Sequence, residues 1–243
     1  MDPQNRKIGQ KLTFQLDQLF GAGKLWQAFG VIQWVTGVED WLRVREEKSQ
    51  ELLCYLALVR FNRRPKASEL PPDLRLDVKA FFGSYRRACG EADALLFSAG
   101  DLGAIDRACK ESSVGKCTTP AHYVHETALA RLAPVLRVYE ECARAYVGRV
   151  EGANVIKLHR GEPKVSYLSY PTVDSDPHPP IAFSMAVHLQ TFRLREPDYA
   201  TRENPPILHR KEEFVLGEHP QREKFARLTR REERLGLFEE PRG

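Results

Sequence analysis

Residues Asn154 to Pro180 read N-V-I-K-L-H-R-G-E-P-K-V-S-Y-L-S-Y-P-T-V-D-S-D-P-H-P-P, and the reading of this stretch decides the fold. Val155 to His159 alternates in part between apolar and polar, Arg160-Gly161-Glu162-Pro163 interrupts, and Lys164 to Tyr170 alternates again. Two short runs of period two around a turn containing Gly and Pro predict a β-hairpin. With Val155, Leu158, Val165 and Leu168 filling a core, the basic and aromatic side chains require a second surface. Its candidates are Lys157, His159, Arg160, Lys164, Tyr167 and Tyr170. Such a set suits a nucleic-acid backbone, the cations meeting phosphates and the tyrosines adding stacking or positioning hydrogen bonds.

Beyond the hairpin comes Asp174-x-Asp176-x-His178, which offers hard oxygen ligands and an imidazole at the spacing that starts a divalent metal site. The Asp-Pro and His-Pro steps are also ordinary turn chemistry. Glu162-Pro163-Lys164 has the acid-x-lysine order that flanks a metal-bound water in restriction-type nucleases, though here it falls in the hairpin turn. Lys164, Asp174, Asp176 and His178 are the catalytic candidates; no nucleophile elbow or activated cysteine accompanies them. Phe183 to Arg195 alternates and predicts a strand that joins the hairpin in an antiparallel sheet. Glu203-Asn204-Pro205-Pro206 then imposes an extended turn before Ile207-Leu208-His209-Arg210-Lys211. Both this segment and Ile156 to Arg160 carry Leu-His-Arg after an isoleucine, so His209, Arg210 and Lys211 join the candidates for one shared anion site. A last helix from about Pro220 to Leu235 sets Arg227, Arg230, Arg231 and Arg234 in a stripe, diluted by Glu223, Glu232 and Glu233.

Toward the N-terminus the pattern is helical. Leu12, Leu16, Leu19 and Phe20 predict a short amphipathic helix closed by Gly21-Ala22-Gly23-Lys24, which lacks the strand and hydroxyl residue of a phosphate loop. Leu25 to Thr36 is a second helical stretch, and Glu39-Asp40-Trp41 opens a third that runs to about Phe61. Leu70-Pro71-Pro72-Asp73 starts another, kinked or ended at Gly90; Asp101 is an N-cap candidate for a short helix from Ala104 to Lys110. Ala121 to His125 reads as a strand, which sends His122 and His125 to opposite faces and argues against a metal pair. A helix follows Pro134 and ends at Gly148. The expected fold is α+β: a mostly helical N-terminal bundle packed on a small antiparallel sheet, with a C-terminal helix over it. Its divisions are an N-terminal helix and linker at 1–24, a helical region at 25–148, and the sheet with its last helix at 149–243, the last two expected to form one compact unit.

At 243 residues, with 42% hydrophobic and 29% charged residues and a net charge of +4, the chain has a globular composition in which local basic patches outweigh the total. No run of eighteen apolar residues occurs and the N-terminus has no signal-peptide core, so a cytoplasmic protein with no membrane partner is expected. Five cysteines without a C-x-x-C pair predict free thiols rather than a disulfide framework or zinc knuckle.

Several long motifs occur in a fixed order. They are Leu25 to Phe29 through Trp41, Glu51 to Leu58, Arg64-Pro65-Lys66, Asp77 to Tyr85 and Tyr123-Val124-His125. Glu151 to Arg160, Pro163 to Pro171, Asp176 to Pro179, Glu203 to Lys211 and Glu223 to Thr229 continue the series. In these the chain resembles the bacterial DNA phosphorothioation-associated methyltransferase family, over about residues 25 to 238. Members commonly carry an AdoMet-binding half ahead of this region, and no glycine-rich AdoMet motif occurs here. The resemblance therefore implies a DNA-binding or substrate-recognition module without a cofactor of its own. It would act beside a separate methyltransferase or restriction enzyme in DNA backbone modification or the linked defence. Its partner would be DNA, phosphorothioate-modified or not. The alternatives are a metal-dependent nuclease built on Asp174, Asp176 and His178 with Lys164, and a protein-interaction subunit of a methyltransferase.

Overall fold

The computed structural model describes residues 38–199 and 201–237. The chain divides into two compact units, residues 1–51 and 52–243. Helix α1 (Val38–Leu58) crosses that division, and its first turns are the described part of the first unit. The helices expected at 12–20 and 25–36, and the Gly21–Lys24 loop, lie outside the described residues.

The second unit begins with the end of α1 and continues through α2 (Pro72–Phe82), α3 (Tyr85–Ser98) and α4 (Leu102–Glu111). Pro72 occupies the first turn of α2, where a missing N–H costs nothing, and Gly83 ends it at φ 73° with its N–H returned to the Lys79 carbonyl. The break is thus at Gly83, not Gly90, which lies inside α3. Ser84 caps α3 by accepting from the Arg87 amide, a hydroxyl stop-and-start signal one residue past the glycine. Asp101 caps α4 through the Gly103 amide, as its position predicts. After β1 (Lys116–Cys117) and β2 (Ala121–His125), α5 (Pro134–Val147) starts at a proline and stops at Gly148.

Strands β3 (Val155–His159), β4 (Lys164–Ser169), β5 (Phe183–His188) and β6 (Arg193–Arg195) complete a six-stranded antiparallel sheet whose order follows the sequence. The hairpin at the heart of the sequence is β3–β4. Two boundaries differ from expectation: the sheet already begins at Lys116, and the 183–195 segment is two strands joined by a turn at Phe192 (φ 53°). The Tyr146 hydroxyl donates to the Phe192 carbonyl at 3.1 Å and its ring stands 5.1 Å from the Phe192 ring, which holds that turn against α5.

Strand parity sorts the side chains. Val124, Ile156, Leu158, Val165, Tyr167 and Val187 face the helices and share one core with Val78, Ala92, Ile105, Leu136 and Ala143. On the opposite face, Val155 and Leu168 pack under Tyr170, Val173, Ile181, Leu208 and Phe214, residues of the chain that folds back over part of the sheet. Helix α6 (Arg222–Arg234) docks beside this second cluster through Phe225, Thr229 and Glu232. The architecture is α+β, with an N-terminal helical region, an antiparallel sheet and a C-terminal helix. No helix among the described residues is long and apolar enough to cross a membrane.

Candidate nucleic-acid interface

The sheet face turned away from α2 to α5 gathers cations in cross-strand rows. Pairing sets Tyr123 opposite Lys157, Lys157 opposite Ser166, Ser166 opposite Ala186, and Ala186 opposite Arg195. Next to it, Lys164 stands opposite His188, and His188 opposite Arg193. Rows two residues apart along a strand lie about 7 Å from each other, and β3 to β6 spans about 14 Å, so the patch is broad enough for several phosphates. Lys157 Nζ lies 5.3 Å over the Tyr123 ring, and Arg193 and Arg195 are exposed. Glu162 engages Lys164 and is held below the usual carboxylate range chiefly by that contact. Among the described residues, Lys157, Arg193 and Arg195 form no ion pair. Arg193 and Arg195 also charge an edge strand, which discourages strand addition from another chain.

Other expected contact residues are engaged within the protein. Arg160 follows the parity of Leu158 to the helix side, where it meets Asp106 at 2.6 Å and 2.8 Å and donates to the Thr118 carbonyl. The Tyr167 hydroxyl donates to Glu140 Oε1 at 3.0 Å, beside two donors of Arg144 at 2.8 Å and 3.0 Å on the same oxygen. Burial raises the Glu140 carboxyl, and Arg144 and Tyr167 hold it back. Tyr170 is buried in the second cluster, its backbone bracketed by the Asn154 side chain, and burial pushes its hydroxyl up to about 12. His159 does share the basic face but is buried, with Nε2 3.1 Å from Ser166 Oγ. Burial, then Lys164 and Lys157, lowers its imidazole to about 4. Glu162 stands 3.3 Å from its Nδ1, yet that carboxylate is half exposed and engaged by Lys164, so burial prevails. Lys211 is buried, donating to the Val173 carbonyl at 2.8 Å and the Asp176 carbonyl at 2.7 Å, with Nζ 4.1 Å over the Phe225 ring. Arg160, Tyr167, His159 and Lys211 are therefore committed within the protein, each meeting a hydrogen-bond demand created by burial, and Tyr170 is withdrawn by packing into the second cluster.

The two Leu-His-Arg segments engage different partners. His159 and Arg160 meet Ser166 and Asp106, whereas Arg210 pairs with Glu213 at 3.3 Å and Glu233 at 2.9 Å. The expected ligand set Asp174, Asp176 and His178 is not assembled either. Asp176 Oδ1 accepts from the His178 amide at 2.9 Å, a local turn contact, and Lys164 is taken up by Glu162. His178 instead meets His209, ring centroids 4.8 Å apart, and Glu232 of α6, whose Oε1 lies 2.7 Å from His178 Nε2. Burial, then the neighbouring His178, lowers the His209 imidazole and favours its neutral form.

Helix α6 presents a second basic surface. Arg227, Arg230, Arg231 and Arg234 are exposed along one side and line an open groove with Glu233. Arg230 meets Glu223 at 2.7 Å, and the others form no ion pair among the described residues. The sequence does not single out His188, Arg193, Arg195 and Glu232: alternation through Phe183 to His188 sets His188 on a defined face, but the turn that returns Arg193 and Arg195 to that face contains no Gly, Pro, Asn or Asp to announce it. No protein-family model, curated protein or solved structure matches the chain.

Proposed function

We propose that the chain is a DNA-binding module that presents duplex backbone to a separate modifying or restricting enzyme, through the basic face of its sheet. The observation that carries the reading is the alignment of Lys157, Lys164, Arg193 and Arg195, with His188, in adjacent rows on one face. Cations fixed on a hydrogen-bonded sheet neutralise phosphates with little loss of side-chain freedom beyond their own rotamers, and they read charge rather than sequence. The motif resemblance supplies the setting of phosphorothioate DNA and a methyltransferase partner. Replacing a backbone oxygen by sulfur keeps the negative charge, so the same rows hold both backbones. Cysteines outside any disulfide, buried Cys109 among them, suit a reducing cytoplasm.

Fluorescence anisotropy on a labelled duplex, with and without one phosphorothioate linkage, tests the proposal. Binding at low salt that is lost in Lys157→Gln/Arg193→Gln/Arg195→Gln is the expected result. No binding by the folded wild-type chain at about 50 mM salt, a range in which even non-specific binders hold DNA, rejects it. Cleavage of the duplex in Mg²⁺ would favour a nuclease instead, and co-purification with a methyltransferase without DNA affinity would favour a scaffold.

A further inference from the structure

Pro180 and Ile207 form an antiparallel bridge, flanked by the Leu208 amide donating to the Pro179 carbonyl at 3.0 Å and the Ile181 amide to the Pro206 carbonyl at 2.9 Å. Continuing that register places His178 directly opposite His209, on the side away from buried Ile181 and Leu208. On that side lies α6, whose inward-facing Glu232 is buried while both imidazoles are partly exposed. One ligand atom from each of the three side chains lies within 4.8 Å of the other two. Among the described residues, Glu232 Oε1 is only 2.7 Å from His178 Nε2 yet makes no aligned hydrogen bond, and His178 Nδ1 is buried with no hydrogen-bond partner.

We infer that His178, His209 and Glu232 form a binding site for a zinc-class divalent transition metal, which fastens α6 to the Pro180–Ile207 bridge. Two imidazole nitrogens and one carboxylate oxygen are a donor set suited to zinc, cobalt or nickel and unsuited to magnesium or calcium, which take oxygen. Ligands at about 2.1 Å around a tetrahedral ion stand about 3.4 Å apart, a spacing within reach of these side chains by small rotations. The chain fills three positions and solvent the fourth. The His178 backbone is held by the Asp176 turn, and Arg210 ties the next residue of α6, Glu233, to the residue after His209. Both contacts fix the ligands' backbones independently of the ion.

The test uses the full chain stripped with chelator, titrated with Zn²⁺ and Co²⁺, with Mg²⁺ as the comparison. One equivalent of Zn²⁺ per chain is expected, together with a visible Co²⁺ absorption of tetrahedral type. At a hundredfold excess over Kd the thermal midpoint should rise by about 5–10 °C, and Mg²⁺ should leave it unchanged. His209→Ala and Glu232→Gln should each weaken binding by at least about tenfold, while Cys117→Ser, which removes an exposed thiol elsewhere, should not. Should the variants fail to fold, Zn²⁺ protection of His178 and His209 against acylation by diethylpyrocarbonate reads the same contact in the wild-type chain. No uptake of Zn²⁺ or Co²⁺ at about 100 µM, or undiminished uptake by folded His209→Ala and Glu232→Gln, overturns the assignment; a structural zinc site binds far more tightly than that.

Discussion

Arg195→Gln removes one cation from the sheet face without touching the core, since its side chain lies on the exposed last strand. Three cations on that face, Lys157, Arg193 and Arg195, have no carboxylate partner among the described residues, and Lys164 shares its charge with Glu162. Counting three neutralised phosphates, the slope of log K against log salt is about −2.7, so a fourfold rise from about 50 to 200 mM weakens binding about 40-fold. With Arg195→Gln the slope falls to about −1.8 and the same change in salt weakens binding only about 12-fold. Anisotropy titrations of a random-sequence duplex in a KCl series measure both slopes. Arg75→Gln, on the exposed side of α2, should leave the slope at the wild-type value. Equal slopes for wild type and Arg195→Gln would refute the assignment of this face. A unit of slope lost instead in Arg231→Gln would move the contact to α6.

Arg144→Ala leaves the buried Glu140 carboxylate with, among the described residues, only the Tyr167 hydroxyl and should cost about 3 kcal/mol in urea denaturation, the low end for a broken buried pair because Arg144 is a third exposed. The apolar combination Glu140→Leu/Arg144→Ala/Tyr167→Phe should cost less than Arg144→Ala alone; a larger loss would count against that reasoning. His159, lowered to about 4 from an ordinary value near 6.5, binds fewer protons folded than unfolded. Its contribution, about 3 kcal/mol at most, is present above about pH 6.5 and fades as pH falls toward 4. His159→Gln should flatten the acid limb of the stability curve, and an unchanged limb would reject the assignment. Gly115 has φ 83°, and an added Cβ would meet the Tyr123 carbonyl oxygen at 2.4 Å. Gly115→Ala should therefore lose about 2 kcal/mol or more of stability, read by the same denaturation, and a loss under about 0.5 kcal/mol would show that the loop yields.

The α+β class was legible because its signals are local. Pro72, Asp101, Pro134 and Gly148 mark helix ends by their own backbone chemistry, and the alternation of Val155 to Tyr170 marks the hairpin. Gly90 misled because a glycine within a helix costs only about 1 kcal/mol, which the packing around buried Ala88 and Ala92 outweighs. The site was less legible. Tyr167 and Arg160 look like surface residues by type, and only the positions of Glu140 on α5 and Asp106 on α4 show why they turn inward. Those acids lie 27 and 54 residues away in sequence, so no local pattern announces them. His178 stands among groups that could hold a metal ion, but with His209 and Glu232 rather than with Asp174 and Asp176. Cross-strand register brings His209 to it, and register between segments joined by a long loop is set by tertiary contacts.

The sheet and α6 bear their positive charge in physically different ways. Lys157, Lys164 and His188 stand on β3 to β5, whose opposite face is sealed by Ile156, Leu158, Val165 and Val187, so the hydrophobic core itself fixes their spacing, while Arg193 and Arg195 are held by the pairing of exposed β6 with β5. Helix α6 has no such backing. Of its buried residues only Phe225 is large and apolar, worth roughly 2 kcal/mol by burial, and Thr229 and Glu232 are polar. Its seat rests on polar contacts: Thr229 Oγ1 with Glu212 at 3.0 Å, Arg210 with Glu233 at 2.9 Å, Lys211 over the Phe225 ring, and the approach of Glu232 to His178. Contacts of that kind weaken with salt and with loss of any one partner, whereas apolar packing does not. A charged ligand thus finds one surface backed by the core over β3 to β5 and another whose placement depends on its polar anchors. A metal ion bound as proposed at Glu232, His178 and His209 would add one further anchor to the arginine-bearing helix.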